Sequence, residues 1–126
     1  MVLPRAQTDD LLCSFKLSGM PTPKQRPRFG KHGNVYTPRK TRSYEKDIGW
    51  AARPAVATPG PTTKPVKLMV NVYLPAGKRL DLDNVLKSVM DGCNGIVWLD
   101  DAQVIDAHIR RYEDRTPWVA IEVRMS

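Results

Sequence analysis

The sequence contains few cysteines, few histidines and no long apolar run, and each absence excludes a class of protein. Among its 126 residues there are two Cys and two His, and the separation of Cys13 from Cys93 matches no zinc-binding motif. No stretch of about 18 apolar residues occurs, so no transmembrane helix is predicted. Residues 1–10 lack the apolar segment of a signal peptide. We therefore expect a cytoplasmic protein with two buried free thiols and a flexible N-terminus over residues 1–10.

The charged residues are unevenly distributed along a chain whose length is that of one domain. Residues 24–53 hold nine Lys and Arg against two acids, whereas residues 81–106 hold six Asp against one Lys. A basic surface attracts a polyanion such as nucleic acid. Clustered acids on a protein that binds polyanions need cations to neutralise them. The two regions together therefore indicate a metal-dependent nuclease.

Hydrophobic periodicity predicts a single α+β domain over residues 1–126, with a mixed sheet, two helices packed on it and the order β-α-β-α-β-β. Asp81 is a favourable N-cap for the second helix, and Gly95 suits the position just after its end. Pro54 is expected to end the first helix. The predicted elements are strands over 11–17, 67–74, 104–112 and around 119–123, helices over 39–53 and from residue 82, an exposed loop over 19–33 and a proline-rich linker over 54–66.

Aspartates concentrate at the predicted start of the second helix and just before the third long strand. Asp81 and Asp83 stand at the helix start, Lys87 follows four residues after Asp83 on the same side of the helix, and Asp100-Asp101 precedes the strand. If that strand packs beside the helix, these carboxylates and the ammonium meet at one sheet edge. Hard cations such as Mg²⁺ prefer carboxylate oxygens, and they promote phosphodiester hydrolysis by activating water and neutralising charge. The sequence thus predicts a metal site there.

Each of these residues also has a purely structural interpretation. Acids in a first turn cap a helix and favour its dipole, Asp83 and Lys87 have the spacing of an i,i+4 ion pair, and an Asp-Asp pair is common in turns. The combination with a basic region favours the metal-site interpretation. Asp91 and Asp106 are expected to be structural or solvated, because Asp91 lies on the polar side of the helix away from Asp83.

The acidic motifs closely resemble the signature of the RusA-type Holliday junction resolvase family. The resemblance rests on residues 81–87, which read DLDNVLK, on Asp91, and on residues 98–104, which read WLDDAQV. It implies a small α+β domain that forms a homodimer and cuts four-way DNA junctions by paired symmetric nicks. It also implies Mg²⁺ as the cofactor, with Mn²⁺ as an alternative.

The same resemblance assigns roles to individual residues. Two aspartates of the D-x-D-N element and the second aspartate of the D-D pair are the essential metal-binding carboxylates of that family. The lysine four residues after the second aspartate is also required there. Carried over to this chain, the implied catalytic residues are Asp81, Asp83, Lys87 and Asp101, and the implied metal ligands are Asp81, Asp83 and Asp101, with Asp100 in support.

The basic region is expected to bind the DNA backbone. In its first part, cations alternate with prolines in a loop, and arginine holds phosphate with a fork of donors. Further cations open the first helix and immediately precede Asp81. None suggests base readout, so we expect recognition of DNA shape. The predicted DNA-binding residues are Lys24, Arg26, Arg28, Lys31, Arg39, Lys40, Arg42, Lys78 and Arg79.

Two functions of different class compete. The first is a metal-dependent junction endonuclease acting in DNA recombination and repair, and a nuclease that acts on flaps is a variant with the same chemistry. The second is a non-catalytic module that binds branched or single-stranded DNA, which explains the basic region but leaves the acids without a role. Symmetric cutting favours a homodimer, because a two-fold dimer presents two identical sites to a two-fold substrate. The sequence does not identify the dimer surface, nor whether the gene is bacterial or carried by a phage.

Overall fold

The computed structural model contains a four-stranded mixed sheet with two helices on one of its faces. It describes residues 10–25, 28–30, 33, 35–36, 39–56 and 60–126, so the expectation for residues 1–9 lies outside the described residues. The elements are β1 (Leu11–Ser18), β2 (Arg28–Phe29), β3 (Val35–Tyr36), α1 (Arg39–Ala55), β4 (Val66–Leu74), α2 (Leu82–Cys93), β5 (Val104–Glu113) and β6 (Trp118–Met125). Neither helix within these described ranges is long and apolar enough to cross a membrane.

The strand order across the sheet is β1-β6-β4-β5. β4 is parallel to β5, whereas β6 is antiparallel to both β1 and β4. The parallel pair requires a crossover, and α2 provides it. As a result α2 begins at the carboxyl end of β4 and runs back towards the amino end of β5. The loop that precedes α2 is thereby placed at one end of the sheet, and the turn that follows it at the other.

Alternating residues of the two central strands form the core beneath the helices. Each of these side chains is at most 1% exposed, and burial of an aliphatic side chain of this size stabilises the fold by about 1.5–3 kcal/mol. The predicted inward positions of β4 and β6 are therefore confirmed. The buried residues of these two strands are Val66, Leu68, Val70, Val72, Leu74, Val119, Ile121 and Val123.

The helices contribute apolar residues at four-residue spacing, as expected for amphipathic helices. α1 buries Tyr44, Ile48 and Ala52, and α2 buries Val85, Val89 and Cys93. Both cysteines are free and buried, as predicted. Burial raises the pKa of Cys13 to about 11 and raises that of Cys93 above its usual range, so both thiols stay protonated at neutral pH.

The two helices approach each other closely at Gly92. A Cβ atom at this position would lie 2.7 Å from Cβ and Cγ2 of Ile48 and 2.9 Å from the backbone oxygen of Glu45. No side chain fits there without moving the backbone of α1. Gly92 therefore sets the distance between α1 and α2, a role that its position inside a helical pattern did not reveal.

Two local predictions need correction. The expected loop over 19–33 includes β2, which pairs with β3 in a two-residue antiparallel ladder; such a short ladder has no hydrophobic periodicity to detect. Pro54 does not end α1 but lies inside its last turn, and the helix continues to Ala55. A proline so close to the end removes little of the helix hydrogen bonding, so the helix tolerates it.

The face of the sheet opposite the helices carries a column of aromatic rings. The rings of Tyr73 and Trp118 are parallel, with centroids 3.8 Å apart, and Tyr112 stacks on the other side of Tyr73 at 5.1 Å. The ammonium of Lys16 lies 5.2 Å from the centre of the Trp118 ring. Because these residues belong to all four strands, the column ties the sheet together on its open face.

Candidate metal centre and DNA interface

Asp81 caps the N-terminus of α2. Its Oδ1 accepts hydrogen bonds from the backbone nitrogens of Asp83 and Asn84, at 3.1 and 3.4 Å, and its Oδ2 accepts one from Nδ2 of Asn84 at 2.8 Å. These bonds satisfy two of the helix's free amide groups and hold the carboxylate in a defined orientation. The residue stays exposed, so its remaining oxygen lone pairs face solvent. Asp81 thus has a structural role that leaves it able to bind a cation.

Asp83 and Lys87 form the i,i+4 pair that their spacing predicts. Oδ2 of Asp83 lies 3.4 Å from Nζ of Lys87, and the two side chains are 73% and 59% exposed. An ion pair so open to water contributes little to stability. The carboxylate can therefore exchange this contact for a metal ion, with the ammonium remaining beside it.

The Asp100-Asp101 pair lies in a turn that is fixed to the core. Oδ1 of Asp101 accepts a hydrogen bond of 2.8 Å from Nε1 of Trp98, whose side chain is completely buried. Oε1 of Gln103 accepts one from the backbone nitrogen of Asp100, while its Nε2 donates to the carbonyl oxygens of Thr62 and Lys64. A single 3-10 turn, Asp101–Gln103, then leads into β5. These hydrogen bonds fix the turn relative to the strand that it precedes.

The two acidic motifs lie at opposite ends of α2. Asp83 is in the first turn of the helix, whereas Asp101 is close enough to Cys93, in the last turn, to help raise the pKa of its thiol. The separation of Asp83 from Cys93 corresponds to roughly 15 Å along the helix axis. Among the described residues, no three His, Cys, Asp or Glu side chains are grouped so that they could hold a metal ion.

The expectation that all these carboxylates meet at one sheet edge is therefore wrong for a single chain. The parallel crossover explains why: the helix start follows the end of β4, whereas the Asp-Asp turn precedes the start of β5. Arg111, near the end of β5, donates hydrogen bonds to the carbonyl oxygens of Lys78 and Pro75. The loop that leads to Asp81 is thus tied to the far end of β5 from Asp101.

Lys24 has a different environment from the one predicted for a DNA contact. Its Nζ lies 2.6 Å from Oδ2 of Asp91 and 3.1 Å from Oε1 of Glu45, and the side chain is partly buried. Burial by itself lowers the pKa of Lys24, but the hydrogen bonds and charges of the two carboxylates outweigh it and raise the pKa overall. Lys24 therefore joins its loop to both helices, and Asp91 has the structural contact that was expected of it. The predicted DNA contact of Lys24 stays a prediction.

The same loop is anchored at two further points. The hydroxyl of Ser88, which is completely buried, donates to the carbonyl oxygen of Thr22 at 2.8 Å, and the backbone nitrogen of Lys24 donates to the carbonyl oxygen of Asn84. The backbone nitrogen of Gln25 donates to Oγ1 of Thr41. The loop between β1 and β2, which carries Lys24, is therefore attached along α2 and at the start of α1.

The other predicted DNA-binding residues divide into three groups. Arg39, Lys40 and Arg42 are exposed in the first turn of α1, as expected, and Lys78 and Arg79 are exposed in the loop before Asp81. Arg28 has a described backbone within β2. The predictions for Arg26 and Lys31 lie outside the described residues.

A basic stripe on α1 extends further than predicted. At about 100° per residue, five exposed residues of this helix fall on one side of it. Trp50 is the largest of them, 71% exposed, and the guanidinium of Arg53 lies 5.9 Å from its ring centre. An exposed tryptophan beside cations is suited to contacts with nucleic acid. The basic stripe consists of Arg39, Arg42, Lys46, Trp50 and Arg53, of which the last three could have been found from their helical spacing.

Comparison with known proteins identifies the family. The family model described as Endodeoxyribonuclease RusA matches residues 18–124. The chain belongs to the RusA endodeoxyribonuclease family. The Crossover junction endodeoxyribonuclease RusA of Escherichia coli K12 is 29% identical over 93 residues, which cover 71% of this chain and 77% of that protein. The corresponding protein of Enterobacteria phage 82 is 28% identical over the same share of each chain. Protein YqaN of Bacillus subtilis 168 is 26% identical over 137 residues, covering 87% of this chain and 94% of its own.

The family match extends from the end of β1 almost to the end of β6. It therefore includes the basic stripe and both acidic motifs, and it confirms the family that the DLDNVLK and WLDDAQV segments indicated. The fold agrees as well, since the mixed sheet with two helices is the α+β domain that the resemblance implied. The roles of individual residues within the family site remain predictions for this chain.

Proposed function

We propose that this protein is a metal-dependent, structure-specific DNA endonuclease that resolves Holliday junctions by paired symmetric nicks during DNA recombination and repair. The observation that carries the proposal is the family match over residues 18–124, which spans both acidic motifs and the basic stripe. The relatives that bear the RusA name are crossover junction endodeoxyribonucleases from a bacterium and a phage. We accordingly expect the protein to act on DNA in the bacterial cytoplasm, and to act as a homodimer.

The carboxylates at the start of α2 fit a hard divalent cation, because their exposed oxygens are the donors that such ions prefer. Asp81 and Asp83 would hold Mg²⁺ or Mn²⁺. The family resemblance further implies Asp101 as a third ligand, with Asp100 in support, although within one chain this pair lies at the other end of α2. A cation bound there would activate a water molecule and offset charge on the phosphate. Asp81 needs no rearrangement, since its cap hydrogen bonds already orient it.

Lys87 has a different role in this mechanism. Its ammonium lies beside Asp83 and on the exposed side of the helix. When DNA is bound, this ammonium would stand next to the scissile phosphate at the metal site. It would offset the negative charge that develops during hydrolysis, or orient the attacking water.

The basic stripe and the exposed cations of the loop before Asp81 supply the binding surface. Lys78 and Arg79 lie next to the catalytic carboxylates in sequence and are exposed, so they would hold the phosphate backbone close to the metal. The stripe on α1 would hold a neighbouring part of the junction. Contacts of this kind recognise the shape of the DNA and not its bases.

Cleavage of a synthetic mobile four-way junction tests the proposal. Wild type with Mg²⁺ or Mn²⁺ should give symmetric nicks, and Asp83→Asn should bind the junction but cut it roughly 10²- to 10⁴-fold more slowly, because metal catalysis contributes several kcal/mol. Asp47→Asn is the matched control, since Asp47 is an exposed aspartate on α1. Tight binding by wild type without cleavage in either metal would favour the binding module instead.

The salt dependence of binding tests the basic stripe. The double variant Arg42→Ala/Lys46→Ala should bind the junction more weakly. It should also reduce the slope of log affinity against log salt by up to about 0.9 for each phosphate that the protein no longer neutralises. Lys64→Ala removes an exposed cation outside the stripe and should leave the slope nearly unchanged. If the double variant and wild type had equal salt-dependence slopes, the DNA would not contact the basic stripe.

A further inference from the structure

A groove lies between α1 and α2, beside the basic stripe. Its volume is about 480 Å³. Ligand clefts in proteins usually measure roughly 300–1,000 Å³. Gly49 of α1 and Gly92 of α2 line it, and because neither residue has a side chain, nothing fills the groove from these two positions. This cleft, the α1–α2 groove, is therefore large enough to hold a ligand.

Trp50 lines the α1–α2 groove without belonging to the core. At 71% exposure it is the most exposed large apolar side chain among the described residues. The buried residues of α1, among them Tyr44, Ile48 and Ala52, lie on the opposite side of the helix. The guanidinium of Arg53 lies 5.9 Å from the centre of the indole ring, and a single guanidinium covers only one face of a ring. The other face can therefore stack on a planar group.

The α1–α2 groove also has an excess of positive charge. Within the described part of the chain, the three cations that line it form no ion pair. Two acids line it as well, Glu45 and Asp91, but both bind the ammonium of Lys24, which offsets their charge. The groove thus suits a ligand that is both planar and anionic. Its three cations are Arg42, Lys46 and Arg53.

A nucleotide is planar and anionic, but only an unpaired nucleotide can use both features of the groove. In a duplex each base is stacked on its neighbours, so a protein meets the phosphates and the base edges but not the base faces. In a single strand, or where the strands of a junction open, a base can lie on an aromatic side chain. Such stacking is tolerant of sequence, because every base has a face to offer. It therefore agrees with recognition of DNA by shape.

We propose that the α1–α2 groove binds an unpaired nucleotide, whose base stacks on Trp50 and whose phosphate is held by the cations of the groove. The inference rests on the proposed function for the DNA that supplies this nucleotide, and it names the feature of a branched substrate that the protein recognises. Binding at this site needs neither a metal ion nor the acidic motifs. The groove thus favours branched DNA, which has bases that can leave the stack, over an uninterrupted duplex.

Binding of a single-stranded oligothymidylate in the absence of metal tests the proposal. Trp50→Leu should weaken this binding roughly 5- to 150-fold, which is the loss expected for one stacked base. Trp50→Tyr keeps a ring that can stack, so it should recover much of the affinity. Both variants should bind a blunt duplex nearly as wild type does. Both should also keep the wild-type slope of log affinity against log salt, because neither removes a charge.

Tryptophan fluorescence gives a second readout, which a purely structural role of Trp50 would not produce. Stacking on a base quenches the emission of an indole. The chain has three tryptophans, of which Trp98 is completely buried and Trp118 is stacked on Tyr73. The oligothymidylate should therefore quench mainly Trp50. Quenching should be absent from Trp50→Leu, whereas Trp118→Phe should retain it.

The possible outcomes separate this inference from the proposed function. Equal affinity of wild type and Trp50→Leu for the oligothymidylate would overturn the inference, and junction cleavage by the same wild-type sample would leave the proposed function intact. An equal loss of affinity for single strand and duplex would make Trp50 a general backbone contact and would also overturn it. Quenching by the single strand together with no cleavage of any junction would overturn the proposed function and support the groove.

Thermal unfolding controls for the folding of the variants. Because the indole is exposed, Trp50→Leu and Trp50→Tyr should unfold at nearly the temperature of wild type. A large decrease for both variants would make Trp50 a structural residue and would overturn the inference.

Discussion

The two ends of α2 carry similar acidic motifs in very different surroundings. At the N-terminal end, Asp83 is mostly exposed and forms an ion pair with the exposed Lys87. At the C-terminal end, Asp101 accepts a hydrogen bond from the completely buried Trp98, and Gln103 joins the turn to residues 62–64. At the N-terminal end, substitutions should therefore reduce cleavage with little change in the free energy of unfolding. At the C-terminal end, they should reduce both cleavage and stability.

Substitution of Asp101 should have the largest combined effect on stability and cleavage. Asp101→Ala leaves the buried indole nitrogen of Trp98 without its acceptor, so the free energy of unfolding should fall by about 1–3 kcal/mol. Asp101→Asn keeps an oxygen acceptor and should cost less than about 1 kcal/mol, because it removes only the charge. Both variants should lose junction cleavage. Urea denaturation measures the difference, and equal stability of the two variants would contradict the role of this hydrogen bond.

Gly92→Ala tests the buried half of α2 where it meets α1. The added methyl group collides with Ile48 and with the backbone oxygen of Glu45. We expect this overpacking to lower the free energy of unfolding by about 1–3 kcal/mol. This loss should exceed the gain of about 1 kcal/mol from the higher helix propensity of alanine. Gly49→Ala is the matched control, since its close contact is the flexible end of Ile96 at 2.8 Å. A stabilised Gly92→Ala variant would show that the helices can separate freely.

Asp81 offers a smaller test of stability at the exposed end. Asp81→Ala removes the N-cap and should cost about 1 kcal/mol, whereas Asp81→Asn retains a good cap and should cost much less. Because both remove the carboxylate, both should lose Mn²⁺ binding. Thermal unfolding together with Mn²⁺ titration separates the two roles. Equal stability of the variants would mean that the cap contributes nothing.

The smallest effect on stability is expected for Lys87→Gln. Its ion pair with Asp83 is exposed, so removing it should change the free energy of unfolding by less than about 0.5 kcal/mol. Cleavage should nevertheless fall by roughly 10- to 10³-fold, because the proposed role of the ammonium is to offset negative charge on the phosphate. Denaturation and single-turnover kinetics on the same samples check both values. A large decrease in stability would make Lys87 a structural residue.

Much of the fold could be predicted because its signals are local. Alternation over β4 and β6 identified the buried faces, and Asp81 and Gly95 marked the ends of α2. Local sequence signals could not predict contacts between residues that are far apart along the chain. The ion pairs of Lys24 with Glu45 and Asp91 could be recognised only in the folded chain, because these acids are 21 and 67 residues away along the sequence.

The sequence by itself determined the four long strands and the two helices, the family motifs and the separation of basic from acidic regions, because each depends on residues that are close along the chain. The tertiary structure decided which of these residues are neighbours. A parallel crossover must carry the chain from one end of the sheet to the other, so it separated Asp83 from Asp101 by the length of α2. The strand order β1-β6-β4-β5 likewise made β5 an edge of the sheet, which no local sequence signal indicated.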